Sequence, residues 1–375
     1  MDLNLSEEQK MFKDSAETFL SKEWTLKLLK EVIKEEKGYS IDHWKKIADL
    51  GWTGMLIDEH YGGIGCDFID LCLILEEMGR VLFPSPFLAS AIMGASILSE
   101  AASDEMKEKL LAPVASGAAI VTLAVGETGD NWSKDMIATT AEKSGGSYVL
   151  RGTKLFVPFA HVSDYIICCV KDKSSPDNSA TLFLVDARTQ GVECIPIPTF
   201  SIDRYSKVVF DSVVVSEENV IGKIGGGWDV IEKVMPRVVV SRCMEIVGGL
   251  QKVLEMTVQY VKDREQFGAP IGSFQVIQHY LAEMAVDVDT SKLITYQTAW
   301  KVSKNLPCEK DISMAKAWSG EAYQRVTALA LQVHGAMGFT EEYDLHLYYK
   351  QAKSLQLMYG GGAYHRRIVA SEMGY

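Results

Sequence analysis

The spacing of apolar residues changes twice along this chain of 375 residues. In the first third, apolar residues recur with helical spacing, and in the last third this period returns in longer runs. Between them lie short β-branched runs such as IVTLAV and KVVFDSVVV, separated by Gly, Asp, Asn, Ser or Pro. This order predicts an α+β protein with a helical domain over residues 1–118, an antiparallel β-domain over 119–225 and a four-helix-bundle-like domain over 226–375.

The balance of charge argues against one class of partner. Asp and Glu number 50 against 38 Lys and Arg, and the net charge of -12 at pH 7 repels polyanions. The first eight residues, MDLNLSEE, are acidic and lack a long apolar run, which indicates neither a secretory signal nor a membrane span. We therefore expect a cytoplasmic protein that does not bind nucleic acid.

The cysteines and glycines suggest no common metal or nucleotide site. The seven cysteines form no CxxC pair and lie mostly in apolar runs, as small core residues do, and no Cys/His cluster suitable for a metal is visible. The segment GKIGGG, residues 222–227, follows a strand but lacks the spacing and the acidic residue of a dinucleotide-binding fingerprint. Metal, Rossmann and P-loop sites are therefore not expected.

Two segments in the last third carry the strongest functional signal. DREQFGAPIGSFQ, residues 263–275, is followed by QVHGAMGFTEEYDLHLYYK, residues 332–350. They resemble the flavin-binding segments of the acyl-CoA dehydrogenase family, and DEHYGG (58–63) and GTKLFV (152–157) resemble further motifs of that family. Since the resemblance extends over nearly the whole chain, it implies FAD as cofactor and an acyl-CoA thioester as substrate. It also implies an electron-transfer flavoprotein or similar acceptor, and a dimer or tetramer of identical or homologous chains.

The resemblance also implies which residues contact the flavin. Arg264 beside the FGAPIG turn offers a forked guanidinium to a diphosphate. Considered alone, Arg264 could instead complement a helix dipole, and the segment after Gln332 could be an ordinary helix C-cap. In dimers of this family these groups reach the flavin of the neighbouring subunit. The candidate cofactor-binding residues are Leu123, Val125, Phe156, Pro158, Arg264, Phe267, Gln275, Gln332 and Gly335.

Two of the flavin-binding motifs differ in sequence from those of the family. Its TEP.GSD turn is GETGD here, residues 126–130, where backbone contacts could survive without the threonine hydroxyl. Its W-I-T/S triplet is Phe156-Val157-Pro158, which keeps an aromatic ring but lacks the hydroxyl expected near flavin N5, and proline has no N–H. Because hydrogen bonds near N5 tune the flavin, we expect changes in its affinity and reduction potential.

The usual catalytic base of the family is missing from its usual position. In relatives a C-terminal YEGT turn carries the glutamate that removes the α-proton of the substrate, and Tyr359 occupies that position here. A phenol with an ordinary pKa of about 10 is a poor base at neutral pH. Some relatives carry the carboxylate on the first long C-terminal helix, where Val238 lies in this chain. His365, beside two arginines, is expected at a surface or an interface.

Glu245 is the nearest carboxylate on that helix. Val238, Arg242 and Glu245 are spaced i, i+4 and i+7 and so share a face. Apolar neighbours would raise the pKa of Glu245 towards the value that a general base needs, although Arg242 and Glu245 could simply pair as i and i+3. The candidate catalytic residues are therefore Glu245 and Tyr359, with Arg242 as the cation that would lower the pKa of the Tyr359 phenol.

Three functions fit these residues. The leading one is FAD-dependent α,β-dehydrogenation of an acyl-CoA thioester, in which proton loss at Cα accompanies hydride transfer from Cβ. Glycines after Tyr359 remove bulk where relatives close over the acyl chain, so a bulky, branched or cyclic acyl group is expected, as in the steroid and alicyclic branch. The alternatives are a non-catalytic or half-catalytic subunit of a hetero-oligomer, and a reductase or monooxygenase of the same fold.

Overall fold

The computed structural model describes residues 5–128, 133–173 and 179–375. The chain forms a group of helices, then a β-sheet, then a bundle of long helices, and the predicted α+β class is confirmed. The exact limits of the three domains stay a prediction.

The N-terminal helices begin at polar caps. Ser6 accepts a hydrogen bond from the Gln9 N–H, and the Gln9 side chain accepts one from the Ser6 N–H, which is a capping box. The fourth helix is buried over most of its surface, because it packs against the first helix and against the C-terminal bundle. The helices are α1 (Glu7–Glu23), α2 (Leu26–Val32), α3 (Ile41–Asp49), α4 (Phe68–Arg80), α5 (Ala95–Ala101) and α6 (Asp104–Ala115).

A single sheet follows in the middle of the chain. Its strands are β1 (Val121–Ala124), β2 (Thr140–Ser144), β3 (Ser147–Pro158), β4 (Tyr165–Asp172), β5 (Ala180–Asp186), β6 (Val192–Ile197), β7 (Tyr205–Ser216) and β8 (Val220–Ile221), in the order β6-β7-β3-β2-β4-β5-β8, with β1 beside β4. Most pairs are antiparallel, as predicted, but β1 and β2 each run parallel to β4. The β2–β3 hairpin lies between β1 and β4 in sequence, so the chain returns beside β1 in the same direction.

Long helices with helical periodicity build the C-terminal region. They are α7 (Gly227–Asp263), α8 (Gln275–Ser303), α9 (Glu309–His334), α10 (Leu345–Leu357) and α11 (Gly362–Glu372). Helices α7, α8 and α9 pack together, and α10 and α11 lie on α9. Two short strands, β9 (Glu265–Gln266) and β10 (Ala269–Pro270), form the hairpin between α7 and α8.

Glycines bring α4 and α7 into backbone contact. A Cβ at Gly248 would collide with the Glu76 carbonyl, and a Cβ at Gly79 would collide with the backbone of Glu245. Because side chains are absent at both positions, the two helices share one continuous apolar core. This contact fixes the position of the central part of α7, where Arg242 and Glu245 lie.

In the part of the chain that the structure describes, no helix is long and apolar enough to cross a membrane. Likewise, the described His, Cys, Asp and Glu side chains form no group of three that could hold a metal ion.

Candidate active site

A cleft of about 600 Å³ separates the sheet from the last two helices. We call it the Tyr359 cleft. One wall comes from the end of β1 and the end of β3, and the opposite wall comes from the turn between α10 and α11 and from Trp228 at the start of α7. Of the predicted site residues, those lining this cleft are Leu123, Val125, Phe156, Pro158 and Tyr359.

A bulge in β3 places Phe156 in the cleft wall. The pairing of β3 with β7 shifts register between Lys154 and Val157, and Phe156 adopts a left-handed backbone with φ 53°. Such a backbone costs a residue other than glycine about 1–2 kcal/mol, and bulges of this kind commonly re-aim a side chain next to a functional site. Phe156 is 53% exposed, and it lines the cleft.

Hydrogen bonds fix the backbone on both sides of that bulge. The Leu155 N–H donates to the Gly126 carbonyl at 2.7 Å, and the Thr122 hydroxyl donates to the Pro158 carbonyl at 2.6 Å. Pro158 therefore takes part through its carbonyl, although it has no N–H to offer. Of the GETGD turn, Gly126 to Thr128 line the cleft, whereas residues 129 and 130 lie outside the described residues.

Among the described residues, Glu127 is the one carboxylate that lines the Tyr359 cleft. It accepts hydrogen bonds from the buried Lys154 ammonium at 2.6 Å, from the Ala138 N–H at 2.8 Å and from the Thr139 N–H at 3.0 Å. Burial by itself would raise its pKa, but Lys154 and these donors lower it overall. Glu127 is thus an ionised structural anchor of the loop after β1, and it is poorly suited to accept a proton from a substrate.

A buried lysine holds the turn that carries Tyr359 in place. Tyr359 has a left-handed backbone with φ 57°, and Gly360 follows with φ 97°. The buried Lys316 ammonium donates to the Gln356 carbonyl at 2.8 Å and to the Gly360 carbonyl at 3.0 Å. Burial lowers the pKa of Lys316 to about 8. The three donors of an ammonium suit this role, because main-chain carbonyls can only accept.

His365 holds the same turn, and its predicted place at a surface is wrong. Only 3% of His365 is exposed, and its Nε2 lies 3.0 Å from the Tyr359 carbonyl. Because that carbonyl only accepts, Nε2 carries the proton, and Nδ1 accepts from the Ser313 hydroxyl at 3.2 Å. Burial and the nearby Lys316 charge lower the pKa of His365 to about 4, so the ring is neutral at pH 7.

A buried ion cluster lies behind Tyr359. Arg242 donates to Asp203 at 2.8 Å and to Glu245 at 2.6 Å, and the Tyr205 hydroxyl lies 3.5 Å from Asp203. Burial raises the pKa of Tyr359 to about 12, since the two carboxylates add to that effect and Arg242 opposes it only in part. Arg242 lies near Tyr359 and lowers the pKa of its phenol, as the sequence argument has it, but burial outweighs this effect.

Glu245 lies in this cluster and does not line the Tyr359 cleft. It borders a separate void of about 20 Å³ together with Gly79, Arg242 and Tyr323. Burial raises its pKa, which Arg242 opposes. The structure therefore brings Glu245, Arg242 and Tyr359 together, with Arg242 and Glu245 in the i, i+3 pairing that was one alternative. Of the three, only Tyr359 lines the cleft, and its hydroxyl is buried.

A second cleft of about 730 Å³ lies near the far end of α7, and we call it the Arg264 cleft. Trp228, which lines the Tyr359 cleft, and Arg264 lie at opposite ends of α7, whose 37 residues span roughly 55 Å at 1.5 Å per residue. Arg264, Phe267, Gln332 and Gly335 line the Arg264 cleft, whereas Gln275 begins α8 beside it without lining it.

The Arg264 cleft presents open backbone and exposed side chains. Phe267 is 95% exposed, and a Cβ at Gly268 or at Gly335 would meet no atom within 4 Å. No ion pair among the described residues involves Arg264. Gly335 ends α9 with a left-handed φ of 59°, so the C-cap alternative and a ligand-binding role are compatible here.

Tyr260 and His334 form the base of the Arg264 cleft, which the sequence did not indicate. Their rings stack at 4.1 Å, and the Tyr260 hydroxyl donates to the His334 carbonyl at 3.3 Å. His334 Nδ1 donates to the Ala330 carbonyl at 2.7 Å, so Nε2 accepts from the Tyr343 hydroxyl at 3.0 Å. Burial lowers the pKa of His334, and a neutral ring supports Arg264 as the cation of this cleft.

The residues present fit a long dinucleotide such as FAD. The Tyr359 cleft is apolar with a few polar backbone groups, as expected for a planar ring system. The Arg264 cleft adds a guanidinium that has no ion pair among the described residues, together with accessible backbone, as expected for a diphosphate. The position of the two clefts at opposite ends of α7 is compatible with two chains contributing to one cofactor site.

Comparison with known proteins identifies the family. Profiles of the N-terminal, middle and C-terminal domains of acyl-CoA dehydrogenases match residues 6–118, 122–213 and 225–374. These matches cover almost the whole chain. The chain belongs to the acyl-CoA dehydrogenase family, a class of FAD-dependent oxidoreductases.

Individual relatives are similar over their full length. CarC of Acetobacterium woodii, a subunit of a caffeyl-CoA reductase-Etf complex, is 29% identical, and the match covers 98% of each chain. The ChsE4-ChsE5 complex of Mycobacterium tuberculosis is 28% identical with a TM-score of 0.91, covering 100% of this chain and 99% of the other. PigA, solved with FAD and proline, is 26% identical with a TM-score of 0.92 and the same coverage.

Proposed function

We propose that the chain binds FAD and an acyl-CoA thioester in the Tyr359 cleft and catalyses hydride transfer at Cβ of the acyl group. The observation that carries this proposal is the pairing of the Phe156 bulge with the Tyr359 turn across an apolar cleft. α,β-Dehydrogenation is the overall chemistry that the family implies. When bound, FAD supplies the two-electron acceptor, and the chain supplies orientation and exclusion of water.

The two clefts would share the cofactor. Leu123, Val125, Phe156 and Pro158 border the flavin ring in this proposal, because the ends of β1 and β3 present both backbone groups and an aromatic ring. The remaining contacts come from a neighbouring copy in a dimer or tetramer, where Arg264 binds the diphosphate and Phe267, Gln275, Gln332 and Gly335 surround it.

The volume and the lining residues of the Tyr359 cleft favour a bulky, branched or cyclic acyl group, as in the steroid and alicyclic branch of the family. Met93, Trp228 and Leu357 form an apolar floor, and Gly360 and Gly361 leave the turn beside Tyr359 without side chains. A cleft of about 600 Å³ lies within the usual range of small-molecule sites.

An electron-transfer flavoprotein is the proposed redox partner, supported by the likeness to the Etf-complex subunit CarC. A cytoplasmic location stays a prediction.

A specific observation also favours a second role, as one subunit of a hetero-oligomer. Glu127 is anchored by Lys154 and Glu245 is held behind Tyr359, so the described part of the cleft offers no free carboxylate to take an α-proton. A homologous partner chain would then supply that base. The likeness to the ChsE4-ChsE5 complex, which is named for two chains, supports this alternative.

The purified chain tests both roles. We expect a yellow protein with about one FAD per chain and an oligomeric state by light scattering. Phe156→Ala should weaken FAD retention, whereas Phe12→Ala on α1, far from both clefts in sequence and partly exposed, should not. A protein that stays colourless after incubation with FAD would overturn the homomeric proposal. Recovery of flavin only after co-expression with a homologous chain would establish the hetero-oligomer instead.

A further inference from the structure

We propose that the Tyr359 cleft selects acyl groups that carry an aromatic ring, and that Phe200 is the specificity-determining residue that packs against this ring. This inference rests on the proposed function, because it concerns the acyl group of the thioester bound there. It narrows the bulky, branched or cyclic acyl groups to one class, the arylacyl thioesters.

Phe200 is an exposed aromatic residue next to a buried segment. It lies in the loop between β6 and β7, it lines the Tyr359 cleft, and it is 56% exposed. The next three residues, Ser201 to Asp203, are each at most 7% exposed. An apolar ring that lines a cleft in this way gains free energy when a ligand covers it. Phe200 therefore offers a contact surface that the fold itself leaves open.

The loop that carries Phe200 is tied to two helices. The Ser201 hydroxyl and the Ile202 N–H donate to the side-chain oxygen of Gln351 on α10, at 3.4 Å and 3.3 Å. Asp203 accepts a hydrogen bond at 2.8 Å from Arg242 on α7. These contacts fix the backbone directly after Phe200, so little freedom is lost when its ring meets a ligand. The buried ion cluster then has a role apart from proton transfer, with Gln351 and Asp203 as positioning residues for Phe200.

Two further rings line the same cleft from other elements. Trp228 at the start of α7 and Tyr364 at the start of α11 are both partly buried. Trp228 donates its indole N–H to Glu232 at 2.7 Å, so the polar atom of this ring is satisfied and its carbon surface can take an apolar partner. A Cβ at Gly361 would have only the Gln356 carbonyl within 4 Å, at 4.0 Å, which shows open space beside the turn.

The charge of the cleft favours a neutral acyl group. Among the described residues that line the cleft, none is Lys, Arg or His, and the carboxylate of Glu127 is already held by Lys154. A carboxylate at the far end of an acyl chain would lose its hydration without gaining a cation. An uncharged ring avoids this cost, and the apolar lining residues can cover it.

An aromatic ring and a saturated ring can be separated experimentally. Pairs of aromatic rings in edge-to-face or offset geometry contribute beyond the area that they bury, which equals about two- to tenfold in affinity. A cyclohexyl ring has as many carbons as a phenyl ring and buries at least as much apolar area, so burial alone gives the phenyl ring no advantage. A preference for phenyl over cyclohexyl therefore reports contact with aromatic side chains.

Titration calorimetry tests the proposal with two thioethers, phenylpropyl-CoA and cyclohexylpropyl-CoA. Neither has the carbonyl that acidifies Cα, so they bind without reacting. We expect the FAD-loaded protein to bind the phenyl compound at least about threefold more tightly, and Phe200→Leu to bind both with equal affinity. Phe12→Leu, on α1 and partly exposed, is the matched control and should keep the preference. Equal binding by the wild type, or an unchanged preference in Phe200→Leu, would overturn the proposal.

The same ratio of affinities tests the positioning residues. Gln351→Leu removes the acceptor of two loop hydrogen bonds and should lower the preference for phenyl while FAD stays bound. Gln259→Leu, exposed on α7, is the matched control. Ser201→Ala removes one of these contacts with a smaller change in the core, and it replaces Gln351→Leu should that variant fail to fold. A preference equal to that of the wild type would refute the role of the loop contacts.

The titration needs no flavin reduction, which keeps this inference distinct from the proposed function. If the chain retains no FAD, the same thioethers are titrated into the FAD-free protein. A preference for phenyl that depends on Phe200 would then contradict only the proposed function. A chain that binds FAD, is reduced by acyl-CoA esters and yet binds both thioethers equally would contradict only the preference for an aromatic ring. Absence of binding by either thioether would contradict it as well.

Discussion

The Tyr359 cleft and the Arg264 cleft differ in how completely the chain builds them. The first is backed by buried ions and by a turn whose carbonyls are held by Lys316 and His365. The second exposes Phe267, leaves Arg264 without an ion pair among the described residues and surrounds Gly268 with open space. A chain that places buried charge behind one cleft and leaves the other open is organised for chemistry at the first and for contact with another molecule at the second.

The largest difference is expected between a carboxylate behind the Tyr359 cleft and one next to the Arg264 cleft. Asp203→Asn removes one of the two carboxylates that compensate the buried Arg242, so it should lower the free energy of unfolding by about 3 kcal/mol. Asp263→Asn, beside Arg264 and exposed, should change it by less than about 0.5 kcal/mol. Urea denaturation measures both. Equal effects would mean that the ion cluster behind Tyr359 contributes no more than a surface charge.

Two glycines with a left-handed backbone allow a second comparison: Gly360 lines the Tyr359 cleft, and Gly268 lies next to the Arg264 cleft. Gly360→Ala would strain the backbone and drive a Cβ into the rings of Tyr364 and His365, so a loss of at least about 2 kcal/mol in stability is expected. Gly268→Ala carries the strain alone, about 1 kcal/mol, because nothing surrounds the added Cβ. Thermal unfolding compares the two variants. A larger loss at Gly268 would show that the second cleft is packed in solution by another chain.

The sequence predicts much of the fold because local patterns determine it. Helical periodicity, the Ser6 capping box and β-branched runs bounded by turn residues depend on neighbours in sequence, and each is found in the structure. The parallel pairing of β1 with β4 depends instead on the position of the β2–β3 hairpin between them in sequence, and no local pattern predicts that position. The resemblance to family motifs predicted more than the local patterns did. It predicted Phe156 and Arg264 as cofactor-binding residues, and each lines one of the two clefts.

The site behind Tyr359 was harder to predict for the same reason. The i, i+3 spacing of Arg242 and Glu245 predicts their pairing, but Asp203 joins them from 39 residues away. Lys316, which no sequence argument singled out, finds its partners, the carbonyls of residues 356 and 360, only when the turn after α10 packs against α9. His365 was misplaced because two adjacent arginines suggested a surface, although successive residues on a helix point about 100° apart and His365 faces inward.

The third comparison asks which chain the Arg264 cleft serves. Arg264→Gln removes a charge-assisted hydrogen bond to a diphosphate and should weaken FAD binding by about 30-fold, equal to about 2 kcal/mol. Arg188→Gln, which removes a guanidinium that is 75% exposed on the β-domain, is the matched control and should leave FAD affinity unchanged. Quenching of FAD fluorescence during reconstitution measures both.

A mixed dimer of Arg264→Gln and Phe156→Ala chains then distinguishes the two arrangements. If the Arg264 cleft serves the neighbouring chain, one site combines the intact Phe156 of one copy with the intact Arg264 of the other, while the second site carries both lesions. Half of the FAD should therefore bind with wild-type affinity. If both clefts served the same chain, every site would carry one lesion, and tight binding would be absent from the mixture. Such a result would remove the dimer-crossing cofactor from the proposed function and would leave the open Arg264 cleft as a surface for a different partner.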